Sequence, residues 1–233
     1  MNTGDTGFIL LCAAFVFFMT PGLAFFYGGM VRRKNVGNTM MQCVFIMGVS
    51  IVMWILFGYA LAFGGNHAGI IGGMKWFGFQ GVGMKPGPYA ATIPNLAFAA
   101  FQMMFAMITP ALITGSVAGR MRFKALVLFV ILWSVIVYYP LAHMVWGEGG
   151  FLAKIGSVDF AGGNVVHISS GVSGLVLAIL LGKRRGYDQG VYHVHNTPFV
   201  FLGAALLWFG WYGFNAGSAL AANGLAAHAF MTT

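Results

Sequence analysis

Asp159-Phe160-Ala161-Gly162-Gly163-Asn164-Val165-Val166-His167-Ile168 opens an apolar run that ends near Leu181 and contains one ionisable side chain, His167. About 20 largely apolar residues suffice to cross a bilayer as a helix. An ionisable group within such a run is costly and usually functional. Helical spacing puts Gly163, His167, Ser170, Gly171 and Gly174 on one face. A face that small either packs tightly against another helix or opens onto a narrow lumen. His167 therefore has two readings, a functional group in a lumen or a histidine satisfied by a neighbouring backbone carbonyl. Metal binding is not supported: no second ligand stands at i+4, and no Cys or acid shares the face.

Working outward, comparable apolar runs occupy residues 7–31, 39–63, 95–118, 125–145 and 198–217, with 161–181 as the fifth of six. A seventh begins near 225. The 233 residues are 59% hydrophobic and 7% charged, where a soluble domain would carry roughly 25% charge. Mean hydropathy is +0.84. The chain is expected to be an all-α polytopic membrane protein forming a single transmembrane domain over residues 1–233. Pro21, Pro110 and Pro140 lie inside spans and predict kinks, because neighbouring helices can satisfy the freed carbonyls.

Charge placement sets the expected orientation. Nine of the twelve basic residues fall in three loops on one side: Arg32, Arg33, Lys34; Arg120, Arg122, Lys124; and Lys183, Arg184, Arg185. Lys75, Lys85 and Lys154 lie on the other. The positive-inside rule makes the nine-residue side cytoplasmic and the N-terminus external. A formal net charge of +8 does not indicate nucleic-acid binding here, since the basic residues are short clusters between apolar runs. The N-terminus lacks a basic n-region, so the first run reads as a permanent span. The Gly- and Pro-rich loop 64–92 reads as an ordered cap or partial re-entrant segment. Cys12 and Cys43 are placed roughly 20 Å apart by helical rise, beyond disulfide reach, and read as packing residues.

Asp159 opens the fifth span, where a carboxylate can cap helix amides and face the positive end of the helix dipole. Capping is the favoured role over direct ligand binding. Phe101 and Phe105 are four apart on the third span, Trp146 ends the fourth, and Trp208, Trp211 and Phe214 crowd the sixth before Ser218. Taken alone these are packing and interfacial aromatics. At a mouth they could also hold a small cation by cation–π attraction. His67 and His143 read as structural, His193 and His195 as surface residues. No nucleophile triad, phosphate-binding Gly loop, paired acids or haem site is visible, so no enzyme and no cofactor is expected.

Four strings carry a resemblance. They are Phe25-Phe26-Tyr27-Gly28-Gly29-Met30-Val31-Arg32-Arg33-Lys34-Asn35, Ala142-His143-Met144-Val145-Trp146-Gly147, the opening string, and Gly210-Trp211-Tyr212-Gly213-Phe214-Asn215-Ala216-Gly217-Ser218-Ala219. In order and spacing they resemble the Amt/MEP/Rh ammonium transporter family, on the Amt side. The resemblance implies an eleven-helix protomer of two inverted halves, assembled as a homotrimer in the plasma membrane with its N-terminus outside. This chain would supply the first half and the start of the second. It further implies that Phe101, Phe105, Trp146 and Ser218 recruit ammonium (methylammonium as analogue), that Phe105 and Phe214 form a gate, and that His167 and Trp211 line the pore. Asp159 would support the recruitment site without touching substrate. A PII-type regulator is implied as a cytoplasmic partner beside the lipid bilayer. Two departures stand out: Glu148 replaces a Gly of the family's Trp-Gly-Gly-Gly run, and Gly119 replaces the Glu usual before Arg120. The alternative activity is that of an ammonium sensor domain; a seven-helix receptor is a third, which gives no reason for stacked phenylalanines.

Overall fold

The computed structural model describes residues 1–184, 187 and 193–233. Arg185, of the third basic cluster, lies outside the described residues. Among those described, six helices are long and apolar enough to cross a membrane: α1 (Thr3–Met30), α2 (Arg33–Phe63), α3 (Asn95–Val117), α4 (Phe123–Lys154), α5 (Gly163–Leu181) and α6 (Thr197–Gly217). The shorter α7 (Gly224–Thr232) follows. The chain is thus an all-α, multi-pass membrane protein. In α4, residues 147–150 leave the helix before a last turn, Phe151–Lys154. Pro21 and Pro110 sit inside α1 and α3.

The bundle is organised around α3. In its most apolar stretch 72% of residues are buried, against 28% in α5 and in α6. It packs on α1, α2 and α5. α1 and α6 lie closely along one another because glycines face the seam. A Cβ on Gly203 would stand 2.6 Å from the Gly22 carbonyl oxygen and 2.7 Å from Phe26 Cα, so only glycine lets the backbones meet there. Cys12 and Cys43 are both free and buried.

Three helices contain a wide turn with i→i+5 hydrogen bonding: Trp54–Gly58 in α2, Ser134–Tyr138 in α4 and Gly163–Ile168 in α5. The first two stand side by side. Trp54 is fully buried, donates its indole N–H to the Ala99 carbonyl at 3.0 Å, and packs against Tyr139 at 6.0 Å. The third changes the face expected for α5. Ser170 and Gly174 are buried, whereas Gly163 and Gly171 are exposed. The small residues therefore do not form one continuous stripe.

Segment 64–92 is an ordered cap on the face that carries the N-terminus. β1 (Pro86–Gly87) pairs antiparallel with β2 (Ala90–Pro94). Trp76 stacks on Tyr59 at 5.0 Å and 15°. The Asn2 N–H donates to the Thr92 carbonyl at 2.7 Å, tying the start of α1 to the cap.

Candidate functional site

Asp159 fixes the entrance to α5. Oδ1 accepts the N–H groups of Gly162 and Gly163 at 2.5 and 2.9 Å, and Oδ2 those of Asn164 and Val165 at 2.8 and 2.9 Å. A helix start leaves its first amides without intrahelical partners, and one carboxylate here satisfies four amides. Gly162 makes the turn possible: its φ is +110°, and a Cβ would stand 2.7 Å from the Val166 side chain. The Asp159 carbonyl also accepts the Trp146 indole N–H at 2.9 Å. One residue thus ties the end of the main run of α4 to the start of α5.

Above this joint lies a cavity of about 160 Å³, walled by Phe63, Tyr89, Phe98, Gln102, Phe105, Trp146, Phe160, Ser218 and Leu220. Phe105 is its floor and the first ring of a file. Its centroid is 5.9 Å from Trp146 at 87°, and 4.3 Å from Phe214 at 36°. Phe214 is 5.9 Å from the His167 ring, which stacks on Trp211 at 5.6 Å and 25°. The file Trp146–Phe105–Phe214–His167–Trp211 descends from the cavity into the membrane span, joining α3, α4, α5 and α6.

The geometry separates the expected site residues. Trp146, Phe105 and Ser218 meet at the cavity, and Phe214, His167 and Trp211 lie below it. Phe101 is fully buried behind Phe105, its ring 5.0 Å away, and is not on the cavity wall. It abuts α6, where a Cβ on Gly217 would stand 2.7 Å from its ring. The Ser218 hydroxyl donates to the Phe214 carbonyl at 2.9 Å, which commits its proton and leaves its oxygen free to accept.

Two histidines make an instructive pair. His143 is fully buried, with one ring nitrogen 2.9 Å from the Ala62 carbonyl and the other 3.4 Å from Asn66 Oδ1. It is the histidine satisfied by a carbonyl. His167 is only part-buried, and its ring contacts are the aromatic faces of Trp211 and Phe214. Among the described residues no group of His, Cys, Asp and Glu is placed to hold a metal ion. His228 on α7 is exposed.

Several wall residues escaped the sequence reading. Gln102 carried a signal, an amide among apolar side chains between Phe101 and Phe105. Phe63, Tyr89, Phe98, Phe160 and Leu220 carried none, because they converge from separate loops and helix ends. Tyr89 donates its hydroxyl to the Phe63 carbonyl at 2.9 Å and accepts the Glu148 backbone N–H at 3.2 Å. Burial pushes its phenol above the ordinary tyrosine range, so it stays a donor. Glu148 itself is exposed beside the cavity.

The sequence profile of the Ammonium Transporter Family matches residues 7–233. The chain is 54% identical over all of its 233 residues to an ammonium transporter of Bacillus subtilis, and spans 57% of that relative. Among solved structures it is similar to Saccharomyces cerevisiae Mep2, at 38% identity and a TM-score of 0.90, covering all of this chain and 52% of that one. It is also similar to a protein described as a sensor Amt protein, at 28% identity and a TM-score of 0.86, covering 96% of this chain and 56% of that one. The chain spans about half the length of the relatives it matches.

Proposed function

Because the chain belongs to the ammonium transporter family, we propose that it is the front part of an ammonium channel or transporter, with recruitment in the aromatic cavity and passage along the file of rings to His167. The observation that carries this reading is the unbroken contact from Trp146 through Phe105 and Phe214 to His167.

The chemistry follows from the side chains. Ring faces attract a cation by their quadrupole, with about 0.5–2 kcal/mol per ring depending on desolvation. That attraction is blind to the difference between ammonium and potassium, which share charge and approximate size. Ammonium alone donates hydrogen bonds, and Ser218 presents a free acceptor. Ammonium alone can also shed a proton. Phe105 and Phe214, in contact at 4.3 Å, offer no polar group to replace a hydration shell, so they oppose a hydrated ion and tolerate neutral ammonia. His167 is the first polar side chain below them, placed to exchange hydrogen bonds with ammonia. Phe101 acts by holding Phe105 from behind. Asp159 positions Trp146 and α5 without meeting the substrate.

The basic loops between α1 and α2, between α3 and α4, and after α5 lie on the face opposite the N-terminus. This supports an external N-terminus in a plasma membrane. A homotrimer of the complete protein and a PII-type regulator on the basic face belong to the same reading. The similarity to a sensor Amt protein supports a second one, in which the same cavity reports ammonium to an attached module. Methylammonium uptake by proteoliposomes of the full-length protein, with His167→Ala alongside, separates the two. Uptake lost in the variant is expected. No uptake by the unmodified protein, with ammonium binding retained, would replace the transporter by the sensor.

A further inference from the structure

Asp5, in the first turn of α1, is a carboxylate that the ammonium reading leaves without a role. An acid there has an ordinary explanation, the favourable field at a helix N-terminus. That explanation predicts a solvated side chain, yet Asp5 is only 8% exposed. It also predicts an acid that serves its own helix. The first amides of α1 are already served by Asn2, whose Oδ1 accepts the N–H groups of Gly4 and Asp5 at 2.8 and 3.2 Å. The Asp5 carboxylate reaches elsewhere. Its Oδ1 accepts the Ala222 N–H at 2.9 Å, from 217 residues along the chain.

Ala222 belongs to the link between α6 and α7, and that link carries two walls of the aromatic cavity, Ser218 and Leu220. Local bonds hold its ends. The Ser218 hydroxyl is bonded back to α6, and Asn223 Oδ1 accepts the Ala226 N–H at 3.0 Å at the start of α7. Its middle is strained. Leu220 has φ +57°, a left-handed conformation that a side chain enters only at a cost in free energy. Such conformations persist where the surroundings over-determine them. Glycine would make this turn freely, but would leave the cavity without the Leu220 side chain, which packs against the core. The Asp5 bond, two residues further on, is a long-range restraint on the turn.

We propose that Asp5 is a positioning residue for recruitment: its carboxylate latches the α6–α7 link so that Leu220 closes the cavity wall beside Ser218. This rests on the reading of the aromatic cavity as the recruitment site. Asp5 is not itself on the cavity wall. It acts through Leu220, whose apolar side chain keeps water from the rings, and ring faces attract a cation more strongly when desolvated.

The test measures methylammonium uptake by proteoliposomes of the full-length protein, as half-saturation and as maximal rate per folded protein. Asp5→Ala removes the acceptor, and Asp5→Asn keeps an oxygen in its place without the charge. Leu220→Ala removes the wall side chain, and Trp146→Leu reports on the cavity itself. Asp5→Ala should raise half-saturation about 3–10-fold with the maximal rate unchanged, a split that mere loss of folded protein would not produce. Asp5→Asn should stay near the unmodified protein. Leu220→Ala should also raise half-saturation, and D5A/L220A should do no worse than L220A. Half-saturation unchanged in Asp5→Ala but raised in Trp146→Leu overturns the inference and leaves the recruitment reading standing. If neither variant raises it, the recruitment reading falls and the inference with it. Equal effects of Asp5→Ala and Asp5→Asn would assign the effect to charge and overturn the latch. So would an unchanged Leu220→Ala, or effects of D5A and L220A that add in full. Should Asp5→Ala not fold, Asp5→Ser, whose hydroxyl ends one bond short of the carboxylate oxygens, takes its place in the same comparison.

Discussion

At the N-terminal face, a cavity of about 160 Å³ is walled mostly by rings, with the amide of Gln102 and the hydroxyls of Tyr89 and Ser218. At the opposite face, a cavity of about 530 Å³ has six cationic side chains in its wall among the described residues. Both are assembled from loops that meet at helix ends, yet they act on ions by different physics. Formal charges reach outward over a Debye length of about 8–10 Å and are weakened by salt. Ring quadrupoles act only at contact, and only once water has left. The basic face can therefore concentrate an ion without examining it. The aromatic mouth must touch its ion, and so can discriminate.

The mouth depends on one joint, and breaking it should have the largest effect. Asp159→Ala leaves four amides of α5 without their acceptor, and the main-chain carbonyl that accepts the Trp146 indole N–H, which alanine keeps, then sits on a turn no longer held by the carboxylate. A loss of about 3 kcal/mol is expected, together with loss of methylammonium uptake. Chemical unfolding of the full-length protein and uptake measure the two.

A smaller effect tests contact recognition. Trp146→Leu keeps an apolar wall and removes one ring face. Half-saturation for methylammonium should rise about 2–30-fold, with the maximal rate less affected. An unchanged half-saturation would mean that the mouth does not work by cation–π attraction.

The smallest effect concerns an exposed formal charge near the rings. Glu148 is exposed beside the cavity and could attract cations from a distance. Glu148→Gln should weaken apparent ammonium affinity about twofold at low ionic strength, and not at all in high salt. No change at low salt would leave the mouth relying on rings and Ser218 alone.

The two cavities were unequally legible in the sequence. Long apolar runs announced the helices, and three short basic clusters marked the opposite face. Asp159 announced itself as a cap because its chemistry is local: acceptor and amides lie within six residues. The mouth was only half visible. Trp146, Phe105 and Ser218 stood out through motifs, but Phe63, Tyr89 and Phe98 join them through the path of segment 64–92, which no local pattern encodes. Spacing put Phe101 and Phe105 on one face. It could not show that Gly217 draws Phe101 into the α3–α6 seam and off the wall. The convergence of the basic loops was equally hidden, since it depends on the left-handed backbone at Gly119 and on carbonyls 58 and 62 residues away from Arg120.

The wide turn at Gly163–Ile168 also gives α5 an unusual genetic property. Its defining bond runs from the His167 N–H to the Gly162 carbonyl at 3.0 Å, one residue longer than the α-helical spacing. Such a turn is equivalent to one amino acid inserted into an otherwise ordinary helix. Deleting a single codon within it would let the helix close normally, yet would rotate everything on one side by roughly 100° relative to the other. His167 and the Asp159 joint could then no longer both keep their places. Point substitutions can be graded here, whereas a one-residue deletion is a mechanical misalignment that leaves hydropathy and composition almost untouched.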